Sequence, residues 1–152
     1  MDKPSWQIRD ADFVARVHAS FAKQRFMTLI GARLAHVAPG DVVIEMPVCA
    51  ELEQQHGYVH AGACWSIADS AAGYASQTLM GPDDGVLTVE LKINLLAPSG
   101  GDLLRAHGRV ERAGRSLMVA RSDVFAIDGG TERHVATTLG TFMVMPGLKD
   151  RT

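Results

Sequence analysis

The chain has 152 residues, of which 47% are hydrophobic and 21% are charged, a composition typical of one globular domain. Its net charge of -2 excludes a strongly basic surface, so we expect no nucleic-acid partner. Two cysteines, Cys49 and Cys64, are too few for a disulfide framework, and we interpret both as core side chains.

Two stretches bear on location. The first ten residues, MDKPSWQIRD, are polar and contain no apolar signal core. The most apolar stretch, 61–80, includes Asp69 and several other polar residues, so we reject a membrane span. We therefore expect a cytoplasmic protein with no membrane partner.

The N-terminal region predicts one helix and two strands. Apolar residues recur every four positions over 10–24, which predicts an amphipathic helix that Asp10 can cap. A strand over 32–37 and a strand over 42–48 follow, joined by the turn Pro39-Gly40-Asp41.

The longest helical candidate is the segment 61–80, which follows a polar loop over 50–60. It is rich in alanine and apolar around most of its circumference, which indicates a buried helix. The sequence Gly81-Pro82-Asp83-Asp84-Gly85 predicts a firm stop after it.

Four strands are predicted after this helix. Their ranges are 88–95, 103–112, 115–127 and 131–145. The first alternates apolar and polar residues, and Asp128-Gly129-Gly130 is a strong hairpin signal before the last. Because short turns join the four strands, we expect them to be antiparallel neighbours.

Such a sheet must cover one face with apolar material, and only the helix at 61–80 offers enough. The order therefore predicts an α+β architecture, an antiparallel sheet wrapped around one long central helix. We assign this single domain to residues 29–146, with 1–28 as an N-terminal helical segment that packs on it.

Asp69 is the only charged residue between Ala61 and Met80. A carboxylate in an apolar helix is costly unless it is paired, and such carboxylates often mark functional sites. The residues that share its helical face are Ser66, Ser70, Gly73 and Gln77. This face can be a solvated stripe or the wall of a narrow site, although a solvent face usually carries Lys, Glu or Arg.

The sequence QQHGYVHAG, at 54–62, leads into the helix. A helix N-terminus offers free N–H donors and a positive dipole, so it can hold an anion or a carbonyl oxygen that becomes anionic. A plain loop and helix start is the alternative. His56 and His60 are four residues apart, but the adjacent Glu of zinc helices and a third ligand are missing, so we predict no metal site.

Residues 56–76, HGYVHAGACWSIADSAAGYAS, resemble the signature of PaaI-type hotdog-fold thioesterases, in which a His-Gly-Gly-like turn precedes a helix with Ala-Asp-Ser/Thr-Ala. Later segments also match: ELKINLLAPSGGD at 90–102, RAGRS at 112–116 and GTFMV at 140–144. The resemblance covers about residues 30–145. It implies the hotdog fold and hydrolysis of acyl-CoA thioesters to a free acid and CoA, without a cofactor.

The resemblance implies roles for matching residues in the chemistry. Asp69 would be the nucleophile or general base, and Thr88 would lie near the attacking water. The Ala61 N–H would polarise the thioester carbonyl, with Gly62 permitting close approach, although Ala61 replaces the family's usual first glycine. Two further roles are implied, orientation of the turn by His60 and positioning of the carbonyl or water by Gln54. The residues that match the family's CoA contacts are Arg112, Arg115 and Ser116.

The separation of Ala61 and Asp69 along the predicted helix indicates a site shared between two subunits. Ala61 and Asp69 are eight residues apart, or ~12 Å along one helix. Both must lie within about 3 Å of one reacting group, which two helices from two subunits can achieve more easily than one chain. We therefore expect a homodimer with shared active sites. We separately expect such dimers to pair into a homotetramer.

Two other functions remain open from the sequence, a hotdog enoyl-CoA hydratase or dehydratase and a non-catalytic acyl-CoA-binding protein. The sequence leaves the acyl group undefined. Candidate wall residues for its pocket are Tyr58, Trp65 and Met80.

Overall fold

The computed structural model describes residues 6–151. Within this range the helices are Phe13–Phe21 (α1), Arg25–Leu29 (α2) and Ala61–Gln77 (α3). The strands are Arg33–Ala38 (β1), Asp41–Pro47 (β2), Asp84–Leu95 (β3), Leu103–Ala113 (β4), Leu117–Asp128 (β5) and Thr131–Pro146 (β6). None of the helices in this range is long and apolar enough to cross a membrane.

The strands form a six-stranded antiparallel sheet in the order β1-β2-β4-β5-β6-β3. The apolar side chains of its inner face, such as Ile44, Leu104 and Phe142, are fully buried in one core with the alanines of α3. A Cβ atom on Gly108 of β4 would lie 2.3 Å from the Ala71 carbonyl, so only glycine permits this close approach. The sheet therefore wraps around α3, which confirms the predicted hotdog architecture.

The prediction that the four late strands are neighbours in chain order is wrong at one point. β3 pairs with β6, whereas β4 pairs with β2 and β5. The segment 96–102 therefore crosses the molecule instead of closing a hairpin. Its backbone is held at intervals, because Leu96 N–H donates to Val135 O at 2.8 Å and Val48 N–H donates to Asp102 O at 3.0 Å. Pro and Gly in a short segment indicate a break in a strand but not where the chain goes next.

The helix predicted over 10–24 is also shorter than expected, and the chain forms α1 and then the separate short α2. Asp12, rather than Asp10, occupies the N-cap position of α1. Asp10 accepts a hydrogen bond from Asp12 N–H at 3.0 Å, and its other carboxylate oxygen lies 2.7 Å from Arg16 Nε. The Asp10 carboxylate therefore forms an ion pair with Arg16, a residue of α1.

The C-terminal end of α3 differs from the prediction by three residues. The regular helix ends at Gln77, and tighter turns continue to Met80, whose N–H donates to Gln77 O at 3.1 Å. The guanidinium of Arg16 donates to Gln77 O, Met80 O and Asp84 O, each at 3.1 Å. Arg16 thus links α1 to carbonyl groups at the end of α3 and at the start of β3. β3 begins at Asp84, inside the segment predicted as a break.

The two cysteines have different environments. Cys64 is 1% exposed and packs in the core, as predicted, with its Sγ 3.3 Å from Ser99 Oγ. Cys49 is exposed, so its assignment to the core is wrong. It lies beyond the end of β2, where the chain leaves the sheet and the apolar layer no longer covers it.

Candidate active site

Asp69 lies in the middle of α3 and is half-buried. The hydroxyl group of Thr88, on β3, donates a hydrogen bond to Asp69 Oδ1 at 2.7 Å. Burial raises the pKa of the Asp69 carboxyl above its ordinary value, and the hydrogen bond from Thr88 partly opposes this rise. The pairing register of β3 with β6 shifts just after Thr88, where Val89 forms a bulge of the kind that redirects side chains beside functional sites.

Asp69 opens into a cavity of about 340 Å³, which we call the Asp69 pocket. It runs along one face of α3, over Asp69, Gly73 and Gln77, which are four residues apart in turn. The opposite wall consists of Ser20 of α1, Lys23 and Gln24 between α1 and α2, the start of β3, and the C-terminal residues 148–151. The Asp69 carboxylate is thus accessible to a small ligand but shielded on several sides.

Gln54, His60 and Ala61 line a second cavity of about 580 Å³, which we call the Gln54 pocket. His60 is the N-cap residue of α3, and its Nδ1 accepts a hydrogen bond from Gly62 N–H at 2.9 Å. A Cβ atom on Gly62 would lie 2.9 Å from that nitrogen, so the glycine leaves room for the ring. The Ala61 N–H has no acceptor among residues 6–151, as expected for a first-turn donor at a helix start.

The side chain of Gln54 is oriented by its own loop. Its Oε1 accepts a hydrogen bond from His56 N–H, and its backbone N–H donates to Tyr58 O at 2.7 Å. With Oε1 engaged in this way, the Nε2 group is the end of the amide that remains to donate to a ligand. Gln54 and the Ala61 N–H therefore provide two donors at one pocket.

The structure does not bring all the predicted residues together within one chain. Asp69 and Thr88 line the Asp69 pocket, whereas Gln54, His60 and Ala61 line the other. The separation follows from α3 itself, because the helix carries Ala61 at its start and Asp69 ~12 Å further along.

The predicted CoA contacts lie elsewhere on the chain. Arg112, Arg115 and Ser116 are exposed at the β4–β5 hairpin, outside the described linings of both pockets. Ser116 O accepts a hydrogen bond from Val144 N–H at 2.9 Å, and Val144 pairs with Val86 of β3. The hairpin is therefore two strand spacings from β3, or ~10 Å.

Several polar residues of the Asp69 pocket were not predicted as site residues. Tyr74 OH lies 3.3 Å from Ser20 Oγ, and Ser70 Oγ donates to Gln24 Oε1 at 3.4 Å. Gln77 was placed on the Asp69 face by its spacing but was given no role. The contribution of α1 depends on tertiary packing, for which the sequence offers no local signal.

The three residues predicted to line the acyl pocket lie in different places. Tyr58 lines the Gln54 pocket, whereas Trp65 is outside the described lining of both pockets. Met80 is fully buried in the core, so its assignment to a pocket wall is wrong. Among residues 6–151, no three His, Cys, Asp or Glu side chains are grouped so that they could hold a metal ion.

An antiparallel sheet wrapped around one long helix is the hotdog fold. The chain belongs to the thioesterase superfamily, whose family model matches residues 56–132. This match includes α3, Asp69 and Thr88. It begins at residue 56, in the loop that carries Gln54, so Gln54 itself lies just outside it.

Individual proteins give the same classification. A crystal structure of a thioesterase family protein from Silicibacter pomeroyi is 41% identical, has a TM-score of 0.87, and aligns over 89% of this chain and 99% of that one. A 1,4-dihydroxy-2-naphthoyl-CoA hydrolase from Listeria monocytogenes is 29% identical over 90 residues, which is 59% of this chain and 73% of the relative. The Escherichia coli PaaI protein from the phenylacetic acid degradation operon, 22% identical with a TM-score of 0.79 over 90% of this chain and 95% of that one, shares the fold.

Proposed function

We propose that this thioester hydrolase acts on acyl-CoA thioesters and uses Asp69 as its catalytic carboxylate. The observation that carries the proposal is the half-buried Asp69 carboxylate, hydrogen-bonded to Thr88 and facing an open pocket. The hydrolase from Listeria monocytogenes acts, by its name, on a CoA thioester, which supports the same substrate class here.

The chemistry follows from the two pockets. Burial raises the pKa of Asp69, so its ionised form is a stronger base or nucleophile than an exposed aspartate. The Thr88 hydroxyl holds one carboxylate oxygen, which leaves the other to act on water or on the acyl carbon. With Asp69 as base, the carboxylate takes a proton from water as the water oxygen bonds to the acyl carbon, the C–S bond breaks, and that proton passes to the CoA sulfur. With Asp69 as nucleophile, the carboxylate forms the first C–O bond as the C–S bond breaks, and water then cleaves the acyl anhydride, giving one proton to the CoA thiolate.

The second pocket supplies electrostatic stabilisation in this proposal. The Ala61 N–H at the positive end of α3 and the Gln54 Nε2 group would donate to the thioester oxygen as it gains negative charge. His60 would act as a positioning residue, because its ring accepts a hydrogen bond from the Gly62 N–H and thereby fixes the turn before α3.

We further propose that each site combines the Asp69 pocket of one subunit with the Gln54 pocket of another. The separation of the pockets on one chain supports this arrangement. β3 supports it too, since it is a 12-residue strand at the edge of the sheet, where Leu87, Val89 and Leu95 are exposed. Such an edge is a template for pairing with a second copy.

Two extensions of the proposal concern surface residues. Arg112, Arg115 and Ser116 would bind the phosphates of CoA, because charged and hydroxyl donors suit phosphate oxygens. Pairing of dimers into a homotetramer would cover the exposed apolar side chains that β5 and β6 present. These are Leu117, Leu139 and Met143.

Enoyl-CoA hydration is a weaker alternative. It needs a histidine and a carboxylate that exchange protons with neighbouring carbons. The Nδ1 of His60 already accepts a hydrogen bond from Gly62 N–H, so this nitrogen is not free to exchange a proton with a substrate carbon. A hydration assay with an enoyl-CoA would separate the two reactions.

The proposal is tested by Asp69→Asn in a screen of short, medium, long and aromatic acyl-CoAs, with CoA release as the readout. We expect kcat on the best substrate to fall by at least ~10²-fold, the scale of a lost general base. Asp83→Asn, at an exposed aspartate beyond the end of α3, is the matched control. A folded Asp69→Asn enzyme with a near wild-type rate would show that the proposed mechanism is wrong.

A further inference from the structure

The backbone N–H groups that lead into α3 are all engaged except one. His60 N–H donates to Leu52 O at 2.8 Å, and Gly62 N–H donates to His60 Nδ1 at 2.9 Å. The Val59 N–H also has an acceptor. Between these groups, the Ala61 N–H has no acceptor in the part of the chain that the structure describes. The direction of this free donor is therefore set by neighbours that are themselves fixed.

Ser99 holds both backbone groups of Val59. Its carbonyl oxygen accepts a hydrogen bond from Val59 N–H at 2.9 Å, and its hydroxyl donates to Val59 O over a longer distance of 3.4 Å. Ser99 is 7% exposed and Val59 is 4% exposed, so water has little access to replace either bond. Because Val59 immediately precedes the N-cap His60, Ser99 fixes the backbone at the point where α3 begins.

The thiol of Cys64, in the first turn of α3, completes this contact. Its Sγ lies 3.3 Å from Ser99 Oγ. Since the single hydroxyl proton of Ser99 points to Val59 O, the thiol is the donor of this pair. Burial raises the pKa of Cys64, and the hydrogen bond with Ser99 only partly opposes this rise, so the thiol keeps its proton. A directed chain therefore runs from Cys64 S–H to Ser99 O–H to Val59 O.

Ser99 is in turn fastened to the sheet. It follows Pro98, whose carbonyl oxygen accepts a hydrogen bond from Arg133 Nη2 at 2.7 Å. Three residues before Ser99, Leu96 N–H donates to Val135 O at 2.8 Å. Arg133 and Val135 both belong to β6. The segment between β3 and β4 thus connects a long paired strand to the turn before α3, with Ser99 as the point of contact.

We propose that Ser99 is a positioning residue for thioester hydrolysis, which fixes the Ala61 N–H where it donates to the thioester oxygen. The inference rests on the proposed function, because it takes the Ala61 N–H to be that donor. Such a donor is effective only at about 2.7–3.1 Å from the oxygen as it becomes anionic, so a small shift of the turn slows the reaction. Cys64 supports the same contact through its thiol.

Ser99→Ala removes the hydroxyl but keeps the main-chain bond to Val59 N–H. We expect kcat on the best acyl-CoA to fall by about tenfold and KM to change by less than about twofold, since a displaced donor affects the transition state more than the bound substrate. Ser99→Thr retains the hydroxyl and should restore most of the rate. A wild-type kcat in folded Ser99→Ala would overturn the inference.

Ser122→Ala is the matched control for loss of a buried serine hydroxyl. Ser122 is fully buried on β5 and is outside the described linings of both pockets. We expect kcat and KM of this variant to equal those of the wild type. An equal fall of kcat in Ser122→Ala and Ser99→Ala would mean that the effect is general to the core, which would also overturn the inference.

A spectroscopic measurement reports the donor directly. The probe is a ketone analogue of the best acyl-CoA, in which a methylene group replaces the thioester sulfur and the carbonyl carbon is ¹³C. Binding to the wild type should move its infrared C=O stretch to lower frequency than in water, because the start of α3 polarises the carbonyl. The shift should be smaller in Ser99→Ala and should return in Ser99→Thr. Equal shifts in the wild type and Ser99→Ala would contradict the assignment.

If Ser99→Ala does not fold, the thiol offers a second test. Cys64→Ala removes the donor to the Ser99 hydroxyl and should reduce both kcat and the carbonyl shift, by smaller amounts than the loss of the hydroxyl itself. Cys64→Ser keeps a donor at this position and should preserve both. Wild-type values in folded Cys64→Ala would then overturn the inference.

Failure of the proposed function gives different results. If the wild type itself produces no carbonyl shift, the Ala61 N–H is not the donor, and the proposed oxyanion site is wrong together with the role of Ser99. If the shift is present and depends on Ser99 but Asp69→Asn remains fully active, only the role of Asp69 is wrong. A shift that is present in the wild type and independent of Ser99 overturns this inference alone.

Discussion

The Asp69 carboxyl is subject to two opposing influences. Burial in α3 raises its pKa, and the hydrogen bond from Thr88 lowers it. In the proposed reaction the ionised carboxylate is the active form, so activity falls as the pH drops through this pKa. Thr88 therefore keeps Asp69 ionised at lower pH than burial alone would allow.

Thr88→Val should move the acidic limb of the kcat/KM profile to higher pH. Valine keeps the shape of the side chain but removes the donor, so the opposing effect is lost and the pKa of Asp69 rises further. The measurement is kcat/KM against pH for the best acyl-CoA. Thr88→Ser, which retains the hydroxyl, should leave the limb near its wild-type position. A limb that moves to lower pH, or does not move in Thr88→Val, would contradict this role.

Single residues were predictable from the sequence to different degrees. Asp69 stood out because it is the only charge in an apolar helix, and its half-buried position agrees with that signal. Thr88 came from the family resemblance alone, because strand periodicity does not indicate a bulge after it. Gln77 was placed on the Asp69 face by its spacing but was given no role, and Tyr74 had no signal, since its contact with Ser20 depends on how α1 packs against α3.

Arg115→Ala should raise KM for acyl-CoA and reduce the dependence of KM on ionic strength. The expected cause is loss of an exposed attraction to the CoA phosphates, which salt screens. The measurement is KM at low and high salt. Arg33→Ala, at an exposed arginine of the edge strand β1, is the control. A KM that does not change at either salt concentration would remove Arg115 from the binding site.

At the scale of elements, α3 is specified at both ends by side chains. His60 accepts the Gly62 N–H at its start, and Arg16 donates to Gln77 O and Met80 O at its end. The N-terminal signal was visible in the sequence as a His and a Gly beside an alanine-rich run. The C-terminal partner was not, because Arg16 is 61 residues from Gln77 in the chain.

Arg16→Met should lower the free energy of unfolding by about 1.5–3 kcal/mol, the range for hydrogen bonds to a charged group. Methionine retains much of the aliphatic packing but removes the guanidinium hydrogen bonds to the carbonyl groups of Gln77, Met80 and Asp84. Urea unfolding measures the change, and Arg9→Met should stay within about 0.5 kcal/mol of wild type as an exposed control. Equal effects of the two variants would show that the link between α1 and α3 adds little stability.

At the scale of the whole molecule, the sequence predicted a sheet around one helix but not the order of its strands. The single apolar helix left few alternatives for the buried layer, since every strand needed a cover for its inner face. The path of 96–102 was ambiguous, because a short Pro/Gly segment can close a hairpin or cross to another strand. Pairing of β3 with β6 places β3 at the edge of the sheet.

The position of β3 at the edge of the sheet leaves it free to pair with a second copy beside the Asp69 pocket. Thr88 is on β3 and donates a hydrogen bond to Asp69, so a second copy paired along this strand would approach the Asp69 pocket. Gln54 and Ala61 in the first chain open into a different pocket, which a partner's Asp69 could complete by the same symmetry. A two-fold dimer would then contain two equivalent shared sites.

Co-expression of Asp69→Asn with Gln54→Ala tests this arrangement, provided that each variant alone is nearly inactive and dimeric. In a mixed dimer with shared sites, one site carries both defects and the other carries neither. Random pairing makes about half of the dimers mixed, so roughly a quarter of wild-type activity should return. If each site were built from one chain, every site would keep one defect. Mixing is confirmed by mass, and activity no higher than that of the separate variants would exclude the shared site.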